Sequence, residues 1–119
     1  MAESILTSVK KALGITSDYQ EFDQDIIMHI NSVFSTLNQL GLGPINGFMI
    51  YDDSETWDLF LDDDFKLNNT KSYMYLRVRL LFDPPSTSFG IEAIKSQAVE
   101  LEWRLNVTRE NSLAENPTP

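Results

Sequence analysis

Acidic residues crowd the stretch from Asp52 to Asp64, which reads DDSETWDLFLDDD and contains seven carboxylates. Such a cluster could bind a divalent cation or supply the acid and base of a hydrolase. An EF-hand loop beginning at Asp52 would need Gly at its sixth position, where Trp57 stands, and usually Glu at its twelfth, where Asp63 stands. The spacing therefore excludes an EF-hand and leaves only adventitious cation binding.

The acidic stretch is better explained as a solvated, amphipathic turn of helix. Ser54 is a candidate N-cap, and Glu55 suits the first turn of a helix. The apolar side of this turn would consist of Trp57, Phe60 and Leu61. A second interpretation concerns the last three acids, since negative charge on the wall of a channel would repel DNA phosphates. These candidate channel-facing residues are Asp62, Asp63 and Asp64.

Other catalytic or metal-binding patterns do not occur in the sequence. His29 is the single histidine and there is no cysteine, so a zinc or thiolate site lacks ligands. The chain has no Gly-rich phosphate loop, no GxSxG and no HExxH. Nor is any carboxylate marked as buried beside an ionised neighbour, as a two-carboxylate hydrolase requires. We expect no enzymatic activity, no cofactor and no bound metal, and we interpret His29 as a packed or surface residue.

The charge balance limits the possible partners. The chain has 119 residues, with 18 acidic against nine basic ones and a net charge of −9. This balance argues against a protein that grips nucleic-acid phosphates, but it is compatible with a pore through which DNA slides without sticking. The sequence shows no apolar run of membrane-spanning length and no signal peptide. We therefore expect one soluble cytoplasmic domain with no membrane partner.

The stretch from Asn69 to Val107 organises the chain as an αα-hairpin. The first arm carries a wide apolar stripe, which predicts a helix buried on more than one side. The stripe contains Tyr73, Met74, Leu76, Val78, Leu80, Leu81 and Phe82. Pro84 and Pro85 end this arm, and Ser86 and Ser88 are candidate N-caps of the next one. Apolar residues of the second arm alternate at spacings of three and four, which is typical of helix-on-helix packing. They are Ile91, Ile94, Ala98, Leu101 and Leu105.

Three residues of the hairpin are candidates for a subunit interface. Arg77 and Arg79 interrupt the first stripe. We favour packed stems whose guanidinium groups reach water or a carboxylate; the alternative is a fork for a partner's carboxylate or phosphate. Trp103 lies off the apolar seam of the second arm. A tryptophan in that position forms either a second packing contact within the domain or a contact with a partner.

The remaining segments complete a mostly α fold. Apolar periodicity predicts one helix from Glu3 to Leu13 and a longer one from near Asp23 to Gly41. The residues 47–51 form a short extended segment, and the polar tail 108–119 has too few apolar groups to order itself. We predict a small bundle of about four to five helices built on an antiparallel helix pair. Residues 1–107 would form the domain, and 108–119 a flexible tail that could order on a partner.

Four segments, taken in order, carry a resemblance to a known family. They are ILTSVKKALGI (5–15), FDQDIIMHINSVFSTLNQLGLGP (22–44), YLRVRLLFDPPSTS (75–88) and ELEWRLNV (100–107). This order resembles the small head–tail connector proteins, also called adaptor or head-completion proteins, of long-tailed bacteriophages. The resemblance implies a structural virion protein of the neck, located at the head–tail junction and present in the host cytoplasm during assembly.

The same resemblance implies the partners. The chain would assemble as a homo-oligomeric ring of twelve copies beneath the portal protein and bind a further neck or tail-completion protein. DNA would pass through this ring without being bound specifically. Portal docking in this family is often attributed to the C-terminal segment, which here begins at Asn106. The candidate portal-binding residues are Asn106, Val107, Thr108, Arg109 and Leu113.

Two other classes of function remain open at this point. One is an acidic regulatory protein that mimics DNA and binds a host or phage nucleic-acid enzyme through its acidic stretch. The other is a small metal-dependent hydrolase that uses the same acids. We rank the connector above both, and we expect the isolated protein to be monomeric and to assemble on the portal, because a high negative charge opposes self-association.

Overall fold

The computed structural model describes residues 3–61 and 64–115, and the side chains of 3–61 and 66–107. It contains the helices α1 (Ile5–Ala12), α2 (Asp23–Gln39), α3 (Trp57–Phe60), α4 (Asp64–Phe82) and α5 (Ser88–Glu115). Within the described residues no β-strand forms, and one isolated antiparallel bridge joins Ser4 to Thr56. The predicted mostly α bundle is therefore confirmed.

The helical hairpin predicted between Asn69 and Val107 is present as α4 and α5, which pack against each other. The chain turns at Pro84 and Pro85, as expected from residues that cannot continue a helix. The N-cap prediction for the second arm was wrong by one position. Thr87, rather than Ser86 or Ser88, accepts a hydrogen bond through its hydroxyl from the backbone N–H of Gly90 at 3.0 Å.

Helix α4 lies at the centre of the bundle. It packs against α5, against α2 and against α1, whereas α2 and α5 share no comparable contact with each other. This arrangement explains the wide apolar stripe, because Tyr73, Met74 and Val78 are all completely buried. The prediction that this helix is buried on more than one side is confirmed. The face of α2 that enters the core consists of Ile26, Ile30, Val33, Phe34 and Leu37.

A buried lysine joins α1 to the loop that follows it. Lys10 is only 2% exposed, and its ammonium lies 2.8 Å from the carboxylate of Asp23 at the start of α2. The same ammonium donates hydrogen bonds to the backbone carbonyl of Ser17 at 3.2 Å and to that of Tyr19 at 2.6 Å. The ammonium of Lys10 therefore holds the loop between α1 and α2 in place.

Aromatic residues from three separate segments fill the other end of the core. The ring of Phe34 on α2 packs against Phe48, Trp57 and Phe60, with ring centroids 4.7–6.2 Å apart. The segment carrying Phe48, residues 47–51, forms neither a helix nor a strand, and its extended conformation stays a prediction. The amide of Asn31 fixes it by accepting from the backbone N–H of Ile50 at 2.8 Å and donating to its carbonyl at 3.0 Å.

Candidate interaction surfaces

Two carboxylates of the acidic stretch, those of Asp52 and Glu55, accept hydrogen bonds from their own loop. Asp52 accepts hydrogen bonds from the backbone N–H of Ser54 at 2.8 Å and from the Ser54 hydroxyl, and these bonds lower the pKa of Asp52. Glu55 accepts from the backbone N–H groups of Tyr51 at 2.9 Å and Asp52 at 3.3 Å. Ser54 is thus not an N-cap, since α3 begins only at Trp57. The loop is irregular because its acids bind backbone groups outside any helix.

This geometry gives no support to metal chemistry. Among the described residues, no group of three or more His, Cys, Asp or Glu side chains is placed to hold an ion. Asp62 and Asp63 lie outside the described residues, and Asp64 is described only as the first backbone position of α4. Their predicted location on a channel wall therefore stays a prediction. His29 is half-buried with its ring 6.3 Å from that of Phe82, as expected of a packed histidine.

The two arginines of α4 make contacts within the chain. A terminal nitrogen of Arg77 lies 3.9 Å from the carboxylate of Glu102 on α5, and its guanidinium stands 5.8 Å from the ring centre of Tyr73. Burial raises the pKa of Tyr73 to about 12. Arg79 lies 3.5 Å from the hydroxyl of Tyr75 on its own helix. These contacts match the favoured interpretation of packed stems, and a role of either arginine in a subunit interface stays a prediction.

Helix α5 presents an apolar stripe to solvent. Trp103 is 66% exposed and Val99, one turn earlier on the same face, is 64% exposed. Phe89, about four turns before Trp103, is 85% exposed, but the exposed Glu92 and Ser96 separate it from Val99 on this side of the helix. We call Val99 and Trp103 the α5 stripe. Sequence reasoning singled out Trp103 but left open whether it packs internally, and its exposure now excludes an internal contact as its main role.

The predicted portal-binding segment continues α5. Asn106 and Val107 are half-buried on this helix, and the backbone of Thr108, Arg109 and Leu113 is helical, while the side chains of those three lie outside the described set. With 28 residues α5 spans about 42 Å, against about 28 Å for the 19 residues of α4. Because the two helices run antiparallel from one elbow, the last turns of α5 extend beyond the start of α4.

A second surface was missed by the sequence analysis. No charged residue occurs from Ile30 to Tyr51, although 23% of the chain is charged. This segment places Ile45, Met49 and Tyr51 in solvent, at 93%, 54% and 72% exposure. A groove of about 450 Å³ runs between α2 and residues 46–51. We call this the charge-free surface; its signal in the sequence was the absence of charge rather than any motif.

Comparison with known proteins identifies the family. A family model described as Phage connector protein matches residues 5–112, which is nearly the whole chain. The chain therefore belongs to the phage connector protein family, as the resemblance implied. It is a structural component of the phage neck, in a family that is structural rather than enzymatic. Neither a curated protein nor a solved structure matches the chain significantly.

The described helices include none that is both long and apolar enough to span a membrane.

Proposed function

We propose that the protein forms an oligomeric ring between portal and tail, extends the DNA channel there, and carries the next neck or tail-completion protein. The observation that supports this proposal best is the match of the phage connector family over residues 5–112. The structure adds two exposed surfaces on one small chain: the charge-free surface and the α5 stripe, whose neighbouring charges are paired. A ring needs two different surfaces per subunit, since each copy contacts two neighbours through a heterologous interface.

The C-terminal end of α5 is the proposed portal-docking element. By its length α5 extends past α4, which would let its last turns reach a partner without disturbing the helical core. Among the described residues, the buried core ends at Leu105. The candidate contacts are those predicted from the sequence, from Asn106 to Leu113.

Net negative charge is consistent with a channel component. A chain with a charge of −9 disfavours phosphate contacts, and DNA moving through a ring of such chains would stay mobile. No specific observation favours the DNA-mimic alternative; two of its carboxylates, Asp52 and Glu55, accept hydrogen bonds from backbone N–H groups of their own loop. The copy number of twelve and the presence of Asp62, Asp63 and Asp64 on the channel wall are parts of this proposal.

The portal test uses the full chain and a truncated chain. Full-length protein mixed with the portal ring should give a complex whose mass, measured by native mass spectrometry, corresponds to many copies per portal. Removal of residues 108–119 should abolish this complex while the melting temperature stays within a few degrees, because the described core lies upstream. The matched control is the truncated chain's circular dichroism spectrum. A full-length chain that forms no complex with any portal would overturn the proposed function.

A further inference from the structure

In the proposed ring, each copy contacts its neighbours through particular surfaces. The distribution of charge limits which surfaces of the chain can form these contacts. Two chains with a charge of −9 repel each other, so association is easiest where neither surface adds to that repulsion. The charge-free surface carries no charged residue of its own, although Asp52 and Asp53 border it at Tyr51. Its groove is lined by uncharged residues only, which include Asn31, Ser35, Asn38, Met49 and Tyr51. Depletion of charge together with exposed aromatic and methionine side chains is typical of interface cores.

At the α5 stripe, ion pairs between neighbouring side chains reduce the repulsion between copies. Each charged side chain of α5 from Ser88 to Val107 has a partner of opposite sign. Lys95 lies 3.8 Å from Glu92, Arg104 lies 2.6 Å from Glu100, and Arg77 of α4 lies 3.9 Å from Glu102. The five charged side chains of α5 in this range sum to −1, and Arg77 of α4 brings the sum beside Val99 and Trp103 to zero. The large negative charge of the chain resides elsewhere.

The two surfaces cannot cover each other within one chain. The stripe lies on α5 and the charge-free surface lies on α2 and the loop after it, while α4 packs against both helices. Residues of both surfaces are exposed in the folded chain, so neither surface covers the other. Two different exposed surfaces per copy permit a head-to-tail contact between copies, which is the contact that a closed ring requires.

We propose that the α5 stripe of one copy docks on the charge-free surface of the next copy, with Trp103 as the central contact and the groove beside Met49 as its receptor. This inference rests on the proposed ring and names the faces that form it. The occupant of each surface is a second copy of this chain.

Charge-introducing variants test the two faces separately. Trp103→Glu and Met49→Glu should each weaken assembly on the portal about 30-fold, which corresponds to the loss of one interface hot spot. Leu59→Glu is the matched control, since Leu59 is 58% exposed on α3 and belongs to neither surface. Its assembly should equal that of the wild type. Thermal unfolding checks that all three variants remain folded.

Cysteine cross-linking tests whether these faces meet. The chain has no cysteine, so introduced thiols react without background. In portal-bound assemblies treated with a short bis-maleimide, a chain carrying both Trp103→Cys and Met49→Cys should give a ladder of covalent oligomers. A mixture of the two single variants should stop at dimers, and either single variant alone should give none.

The possible failures have different meanings. If no complex with portal forms, the proposed function fails and this inference fails with it. If many copies still assemble on the portal, but both glutamate variants assemble like Leu59→Glu and the paired cysteines do not cross-link, the ring survives and the assignment of its faces is overturned. Cross-linking of Trp103→Cys alone would also overturn it, because that result indicates a symmetric contact between two α5 stripes.

Discussion

At the scale of single residues, several charged and amide side chains stabilise the fold by binding backbone groups. Asp52 and Glu55 bind backbone N–H groups of their own loop, and Asn31 binds both backbone groups of Ile50. Lys10 replaces water with two carbonyls and one carboxylate. These residues satisfy buried or loop polar groups that no helix could satisfy, which is why a small bundle contains them.

Lys10 provides the residue-scale prediction. Lys10→Met keeps the buried stem but leaves the carboxylate of Asp23 and two carbonyls without their cation, so the free energy of unfolding should fall by about 3 kcal/mol. Urea denaturation measures this change. Lys11→Met is the matched control, because Lys11 is exposed at the neighbouring position and its loss should cost less than about 0.5 kcal/mol. Equal stability of both variants would show that the buried pair contributes nothing.

At the scale of secondary-structure elements, the turns decide how the helices meet. The Pro84–Pro85 corner sets the hairpin, and Gly43 permits the turn after α2 to approach the aromatic cluster. Gly43 has a φ of +81°, and a Cβ at this position would overlap the ring of Phe60. Glycine is thus required there for two reasons, backbone conformation and space.

The element-scale prediction separates these two reasons. Gly43→Ala should destabilise the protein by about 3 kcal/mol or more, since it adds overlap with a packed core to the strain of a left-handed residue. Gly14→Ala should cost only about 1 kcal/mol, because Gly14 has a φ of +83° with nothing within 4 Å of its Cβ position. Thermal or urea unfolding of the two variants gives the comparison. Similar losses would mean that the ring of Phe60 moves away at no cost.

At the scale of the whole molecule, charge and apolar surface act in opposite directions. The net charge of −9 opposes association of separate copies, while the exposed apolar groups of the α5 stripe and the charge-free surface would favour it. This balance is the physical reason for our prediction that the isolated chain is monomeric and assembles on the portal. Since repulsion is screened by salt and apolar contact is not, ionic strength distinguishes the two contributions.

The whole-molecule prediction follows from that difference. Sedimentation velocity of the isolated wild type at one protein concentration should show monomer at low salt and a larger average mass near 1 M NaCl, where the Debye length is about 3 Å. Trp103→Glu should remain monomeric across the same range, which makes it the control for non-specific salting out. An unchanged wild-type mass throughout would indicate that charge does not hold the copies apart.

The helices and their hairpin follow from local features of the sequence. Apolar periodicity, the two prolines and the glycines act locally, so α1, α2, α4 and α5 could be predicted from residues near in the chain. The boundaries were less accurate: α4 begins at Asp64 rather than near Asn69, and the backbone of α5 continues to Glu115. Helix ends depend on caps and neighbours, and Thr87 illustrates how one hydroxyl shifts a start by one residue.

Which surfaces are covered could be learned only from the folded chain. Periodicity identifies the apolar side of a helix but not the element that packs there, so it could not show that Lys10 is buried while Trp103 and Phe89 face solvent. It likewise gave no reason to connect α2 with residues 46–51 into one charge-free groove. Burial arises from contacts between segments distant in sequence, and those contacts exist only once the chain has folded.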